Sequence, residues 1–447
     1  MTFQELNLNT PLLNALNDLG FKNPTPIQEL VYPAVMSGRD SVGIAQTGTG
    51  KTFAYLLPIL RQLKYSDQRH ARILIVVPTR ELVLQVVGEI EKLAKYMTVR
   101  VIGVYGGTNI NTQKQLVYNG MDIIVATPGR LVDLVMTGVL RLKSIQKLVI
   151  DEVDEMLNLG FRPQLMSFMD SLPVRRQNLM FSATLTEDVA AMIDSYFYDP
   201  ETIEIQNQGT PLEQISQYYY AVPNFYTKIS LLENLLTDAE EFQRVLIFVS
   251  SKQFADRVFE LLDPVFPDQI GVLHSNKSQN YRINALERFR SGTSRMLIAT
   301  DVASRGLDIA DISHVINFDT PENPEDYIHR TGRTGRAEKA GIAITFVNEI
   351  ETKFLSEIEK FMSRPLEEKP LPGGLKVSNI FTDEERPVMF DKDYLGKPNA
   401  INDSQGAFHE KKEKNRKVNL GGPGERKPRK TKPVNRGVMK KRAAKGK

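Results

Sequence analysis

Short apolar runs rich in β-branched residues recur along this chain, each followed by a turn and a helical pattern, and the series occurs twice. The first set comprises Ser41–Ala45, Arg72–Val77, Arg100–Tyr105, Asp122–Ala126, Lys147–Ile150 and Leu179–Phe181. The runs do not alternate apolar with polar residues, so each is expected to be a strand buried on both faces. Strands of that kind alternating with helices build a parallel sheet covered on both sides. The second set is Val245–Val249, Ile270–Leu273, Met296–Ala299, Val315–Phe318 and Ile342–Val347. Segments echo across the two halves: "ILIVVPTREL" (Ile73–Leu82) resembles "VLIFVSSKQF" (Val245–Phe254), and "DIIVATPGR" (Asp122–Arg130) resembles "RMLIATDVASR" (Arg295–Arg305). The expected fold is α/β, with two tandem parallel-sheet domains of one architecture. The polar stretch Gln206–Gln214, with its Gly and Pro, is the natural divide. Domains are placed at 1–207 and 215–363, with the linker at 208–214.

A chain of 447 residues is long enough for this arrangement. It contains no cysteine, which excludes disulfides and thiolate metal sites and suits a reducing compartment. Residues Met1 to Pro11 have neither the basic nor the apolar region of a secretory signal. No apolar run approaches a membrane span, so a soluble cytoplasmic protein without membrane partners is expected. The net charge of +3 conceals an asymmetry. From His409 to Lys447 there are about 16 Lys/Arg against about 3 Asp/Glu, so this tail carries about +13 and the remainder about −10. An acidic body with a basic arm suits binding to polyanions. Periodicity fades after Phe361, and the stretch 364–447, basic from about 409, is expected to be largely disordered.

The strongest local signal is "AQTGTGKT" (Ala45, Gln46, Thr47, Gly48, Thr49, Gly50, Lys51, Thr52), between a strand and the helical pattern Phe53–Leu63. Its glycines let backbone N–H groups face phosphate oxygens at a helix N-terminus. Lys51 is placed to reach the β- and γ-phosphates of a nucleotide, and Thr52 to help hold magnesium. A bare Gly-rich turn is the bland alternative, disfavoured by the Lys-Thr pair. "VIDEVDEM" (Val149–Met156) adds Asp151 at the C-terminal end of a strand, where parallel sheets place ligand sites. Asp151 suits the metal, and Glu152 suits orienting and deprotonating an attacking water. The second half has no Gly-Lys-Thr loop and is expected to bind no nucleotide of its own. It carries "HRTGRTGR" (His329–Arg336), in which Arg333 and Arg336 lie three apart and can point the same way. Guanidinium groups aimed at a γ-phosphate stabilise transition-state charge, so catalysis would need the second domain to close on the first.

With these motifs in place, the chain resembles the DEAD-box RNA helicases over about residues 1–363, with the bacterial RhlE-like branch nearest. Further motifs carry the resemblance: "GFKNPTPIQ" (Gly20–Gln28) with Phe3 upstream, "PTREL" (Pro78–Leu82), Gly106-Gly107, "TPGR" (Thr127–Arg130), "SAT" (Ser182–Thr184), "QNYR" (Gln279–Arg282) and "ATDVASRGLDI" (Ala299–Ile309). The resemblance implies two RecA-like domains, with ATP and Mg2+ as cofactors and RNA as partner. Gln28 would read the adenine and Phe21 stack on it. Gly306 and Asp308 would complete the nucleotide site, Asp308 at the ribose. Asp154, Ser182, Thr184 and His329 would couple ATP to RNA. Pro78, Thr79, Arg80, Gly107, Thr127, Pro128 and Arg130 would hold the RNA backbone on the first domain, and Gln279, Arg282 and Thr300 on the second. RNA-stimulated ATP hydrolysis would then separate short duplexes or remodel RNA–protein complexes. Ribosomal and RNA-degradation assemblies are the expected settings, and the basic tail a sequence-independent tether.

Two residues depart from the family pattern. Val153 stands where alanine is usual, which calls for repacking and puts the tightness of coupling through Asp154 in question. Ser275 follows His274 where glycine is common. Two other readings stay open at this point. A DNA-directed translocase of the same plan would show DNA-stimulated hydrolysis, and a non-enzymatic RNA clamp would keep its RNA effects in Glu152→Gln.

Overall fold

The apolar runs lie within two seven-stranded sheets in which every pairing is parallel. In the first lobe the strands are β1 (Ser41–Ile44), β2 (Ile73–Val76), β3 (Val101–Val104), β4 (Ile123–Ala126), β5 (Lys147–Ile150), β6 (Gln177–Ser182) and β7 (Glu201–Glu204). In the second they are β8 (Ile215–Ala221), β9 (Val245–Phe248), β10 (Ile270–Leu273), β11 (Met296–Ala299), β12 (His314–Asn317), β13 (Gly341–Val347) and β14 (Glu367–Glu368). The spatial orders are β3-β4-β2-β5-β6-β1-β7 and β10-β11-β9-β12-β13-β8-β14. Adding seven to each number of the first gives the second, so the two lobes share one topology. In this computed structural model the described residues are 1–45, 48–205, 215–304, 311–335, 341–382 and 384–385, and all belong to one unit. The expected linker and the basic tail lie outside them.

Burial on both faces explains the unbroken apolar runs. In β2, Ile73 and Ile75 join one apolar cluster while Leu74 and Val76 join the cluster on the opposite face. In β9, Val245 and Ile247 are divided from Leu246 and Phe248 in the same way. Val153, the first departure, is fully buried in the cluster that also holds Val42, Ile44 and Ile150. Its extra methyl groups are therefore accommodated in the core behind the acidic motif. Ser275 is exposed and is not among the residues with positive φ, so serine stands there without backbone strain.

The second lobe extends past the boundary expected at 363. β14 pairs with β8, and Leu371 and Leu375 pack on the second lobe's core. The Ser378 amide donates to Thr227 Oγ1 at 2.9 Å, and Asn224, the N-cap of helix Phe225–Thr237, donates to the Ser378 carbonyl. Periodicity does not announce this strap because isolated side chains and backbone bonds attach it, not a continuous apolar face.

Where β1 leads into the Gly-Lys-Thr loop, its counterpart β8 leads into helix Phe225–Thr237 with no glycine turn. Lys228 in that helix is buried, and its ammonium meets Glu351 at 2.7 Å and Asp319 at 3.7 Å. Asp319 lies just beyond β12, the counterpart of β5, and Asp151 lies just beyond β5. The second lobe thus neutralises its buried lysine internally. Replacing Lys228 by alanine leaves the buried Glu351 and the half-buried Asp319 without a cation, and we expect a loss of about 3–5 kcal/mol in the second lobe's stability. Urea unfolding of the full chain measures it, with Lys228→Arg falling between.

Candidate active site

The loop after β1 turns on two glycines in the left-handed region, Gly48 (φ 86) and Gly50 (φ 89). The φ at Gly50 requires glycine, and a Cβ there would also push aside the Gln28 amide, whose Nε2 would lie 2.4 Å away. Lys51 opens helix Lys51–Gln62. It is 7% exposed, and among the described residues no hydrogen-bond partner reaches its Nζ. A buried ammonium without a partner is costly, and its neighbours Asp151 and Glu152 offset that only through space. Such a group is the complement of a polyphosphate. Ala45 is buried and its amide donates to the Ser182 carbonyl at 3.0 Å, tying the start of the loop to β6. Gln46 and Thr47 lie outside the described residues.

Gln28 is engaged locally. Its Oε1 accepts from the Thr25 amide at 3.1 Å, and its Nε2 donates to the Gly50 carbonyl at 3.1 Å. Each atom retains one further hydrogen-bonding position, so the side chain links the glycine loop to whatever it meets next. Phe21 is 46% exposed and makes an edge contact with Phe53 at 5.3 Å between ring centres. Its ring is open to stacking.

Asp151 and Glu152 leave the end of β5 by different routes. Asp151 is buried, with Oδ2 accepting from Tyr55 Oη at 3.0 Å and Oδ1 from the Glu152 amide at 3.0 Å. Burial raises its carboxyl above the usual range, with the Lys51 charge and these hydrogen bonds opposing. Glu152 has φ 55 and ψ 50, a left-handed conformation rare for a non-glycine residue and characteristic of functional sites. Burial and the neighbouring Asp151 charge push its carboxyl up to about 7, against the pull of Lys51 and Arg333. A carboxyl near neutrality is what a general base requires. Tyr55 joins the site without a motif to mark it, although its i+3 spacing from Thr52 is a usable signal. Its phenol touches both Thr52 and Asp151, the two residues expected at a metal.

Asp154 Oδ2 accepts from the amides of Ala183 and Thr184 at 2.9 and 3.0 Å and from Thr184 Oγ1 at 3.2 Å. Ser182 Oγ donates to the Thr184 carbonyl at 2.7 Å. The acidic motif and the Ser-Ala-Thr motif are therefore one hydrogen-bonded assembly. His329, expected to act with them, instead meets Glu155: its Nδ1 is 2.7 Å from Glu155 Oε1, across the lobes. Arg333 is 6% exposed and lies close enough to Glu152 and His329 to act on both electrostatically. The described part of "HRTGRTGR" thus reaches the acidic motif of the first lobe. Arg330, which the motif pattern does not single out, holds the segment in place: it grips Asp301 in a fork at 2.6 and 2.7 Å and the Asp319 carbonyl at 2.8 Å. Gly306, Asp308 and Arg336 lie outside the described residues.

Of the residues expected on RNA, Arg80, Gly107, Gln279 and Thr300 are at least partly exposed, and the others are buried. Thr79 caps helix Arg80–Leu93, and Pro78 beside it is buried. Gly107 has φ 80, and a Cβ there would lie 2.1 Å from Arg80 Nη1. Thr127 precedes helix Pro128–Met136 and, like Pro128, is buried. Arg130 departs from expectation: it is 8% exposed and donates to Gln113 Oε1 at 2.7 Å and the Thr108 carbonyl at 2.9 Å. Its guanidinium shapes the Gly106-Gly107 loop from within. Arg282 also departs, being buried in an ion pair with Glu81 at 2.9 Å, while Arg80 donates to Gln279 Oε1 at 3.2 Å. Both contacts bridge the lobes. Thr300 follows β11, and its amide donates to the Leu273 carbonyl at 3.3 Å.

Among the described residues no helix is long and apolar enough to cross a membrane. The DEAD/DEAH box helicase family model matches residues 25–192, and the helicase conserved C-terminal domain matches residues 227–338. The ATP-dependent RNA helicase RhlB of Pseudomonas syringae pv. tomato is 42% identical over 81% of this chain and 93% of that protein. The DEAD-box ATP-dependent RNA helicase CshA of Geobacillus kaustophilus is 38% identical over 83% of this chain and 79% of that protein. Among solved structures, S. cerevisiae Dbp5 bound to RNA and ADP BeF3 is similar with TM-score 0.74 and 29% identity, covering 83% of this chain and 96% of that one. Mss116p bound to ssRNA and AMP-PNP has TM-score 0.75 and 26% identity, covering 83% and 79%. The chain belongs to the DEAD-box ATP-dependent RNA helicases, two RecA-like lobes whose acidic, glycine-loop and arginine motifs meet at one site.

Proposed function

We propose that the polyphosphate of ATP lies between the Gly48–Thr52 loop and Arg333, with Glu152 as general base, and that closing the lobes on it creates the RNA grip. The buried ammonium of Lys51, with no hydrogen-bond partner among the described residues, lies beside a carboxyl held near 7 on which a guanidinium from the other lobe also acts, and this is the observation that carries the reading. Thr52 and Asp151 fit Mg2+: they share the Tyr55 phenol, and one carboxylate plus a hydroxyl leaves room for substrate oxygens and water. When bound there, the ion would neutralise phosphate charge. Glu152 takes the proton of the attacking water, and Arg333, with Arg336, stabilises charge on the transferred group. Gln28 and Phe21 suit the adenine, and Gly306 and Asp308 the ribose side.

RNA is assigned to Arg80, Gly107, Gln279 and Thr300, with the buried Thr79, Thr127, Arg130 and Arg282 supporting that surface from below. Hydroxyl, amide and guanidinium donors suit a sugar–phosphate backbone and carry little sequence information. Release after hydrolysis would part short duplexes or remodel RNA–protein complexes. The domain limits proposed are 1–207 and 215–363, with the strap that follows, to Thr382, added to the second lobe. A cytoplasmic setting, ribosomal or RNA-degradation partners, and a place in the RhlE-like branch complete the proposal, the last on motif resemblance alone.

ATP turnover with single-stranded RNA, duplex DNA and no nucleic acid tests the substrate. RNA stimulation is expected, and stimulation by duplex DNA alone would overturn it. Truncation near Asp391 removes the basic tail. RNA affinity should fall, and the slope of log affinity against log salt should shrink by about 0.7 for each phosphate the tail no longer neutralises.

A further inference from the structure

We infer that Glu155 is a positioning residue that locks the closed lobes through His329, making the grip on RNA sensitive to pH. The inference rests on the proposed closure over ATP but concerns a residue outside the catalytic set. Glu155 belongs to helix Val153–Asn158 of the first lobe and His329 to helix Pro324–Thr331 of the second, so their contact exists only when the lobes meet. At 2.7 Å, with side chains 8% and 14% exposed, it is a short, largely desolvated contact.

Asp154 cannot take this role. One of its oxygens receives three donors from Ala183 and Thr184, and the other receives the Glu155 amide. That leaves Glu155 as the acidic anchor. A carboxylate oxygen only accepts, so His329 Nδ1 must donate. A neutral imidazole can do so in one tautomer, whereas the imidazolium adds charge and makes the bond roughly twice as strong.

The groups facing His329 are Glu155 and Asp154 from the first lobe and Arg333 from its own segment. Burial opposes the charged ring and Arg333 repels it, but the bond to Glu155 and the two carboxylates outweigh them, and the ring is held above its usual range. The strengthened contact is therefore fully present below the ordinary histidine range, and is lost as pH rises through the elevated value. Lobe closure, and with it RNA affinity, should weaken toward alkaline pH.

The test measures RNA affinity of the full chain by fluorescence anisotropy, with and without ADP and beryllium fluoride, across pH 6–9. Wild type with nucleotide should lose about tenfold in affinity over this range. Glu155→Gln keeps the shape and an acceptor but removes the charge. It should bind RNA about tenfold more weakly at pH 6 with nucleotide, show a flattened pH profile, and match wild type without nucleotide. In Glu155→Gln/His329→Gln the loss should be no greater than in the worse single variant, which an independent structural defect would not produce. A Glu155→Gln profile that keeps the wild-type slope and affinity, or additive losses in the double variant, would overturn the inference. If wild type itself shows no tightening with nucleotide, the closure reading fails first, and this inference with it.

Discussion

Glu152→Gln should lower RNA-stimulated ATP hydrolysis by about 100- to 10,000-fold while leaving ATP binding nearly intact. The amide keeps the size of the carboxyl and its place after β5, so the local backbone, left-handed at residue 152, has no reason to change. What disappears is the ability to accept a proton. The same chemistry fixes the pH dependence of the wild type. A base acts only when deprotonated, so turnover should rise with pH through about 7, the value to which burial and Asp151 push this carboxyl. Steady-state turnover from pH 5.5 to 9 reads it. A Glu152→Gln enzyme with wild-type turnover would remove Glu152 from the chemistry and revive the reading of the chain as an RNA clamp without catalysis.

Arg333→Ala should cost about 10³–10⁵ in turnover, the range for a guanidinium that meets a transferring phosphoryl group. Arg333→Lys should recover little, because an ammonium lacks the planar fork that engages two oxygens. The size of the effect separates this role from a packing role. Arg330, in the same helix-to-turn segment, is bonded wholly within the second lobe. Its removal should lower that lobe's stability, leaving the residual turnover of folded protein less affected. Single-turnover kinetics with saturating ATP and RNA distinguish the two.

The sheets are legible in the sequence because each central strand is buried on both sides, leaving an apolar run bounded by turns. Three strands are not. β7 reads Glu-Thr-Ile-Glu, with one side chain buried at the sheet edge. β8 mixes Ser, Gln and Tyr with few aliphatic residues and adjoins the polar stretch that signals the divide. β14 is two exposed glutamates held by pairing with β8. At the candidate site, the structure brings together residues that type and spacing single out in the sequence: Lys51 after glycines, Asp151 and Glu152 at a strand end, Arg333 in an arginine repeat. Residues whose role depends on a partner far along the chain are not. Arg130 and Arg282 look like phosphate ligands in a string of letters. Only the fold shows Gln113 and Glu81 arriving beside them. The same holds for Glu155, whose partner lies in the other lobe.

If one closure of two lobes holds both nucleotide and RNA, each must tighten the other by the same factor. RNA affinity measured at fixed salt, first without nucleotide and then with ADP and beryllium fluoride, tests this most directly. A clear gain in affinity with nucleotide is expected, and it should vanish in Arg333→Ala. Equal RNA affinity in the two conditions would contradict it.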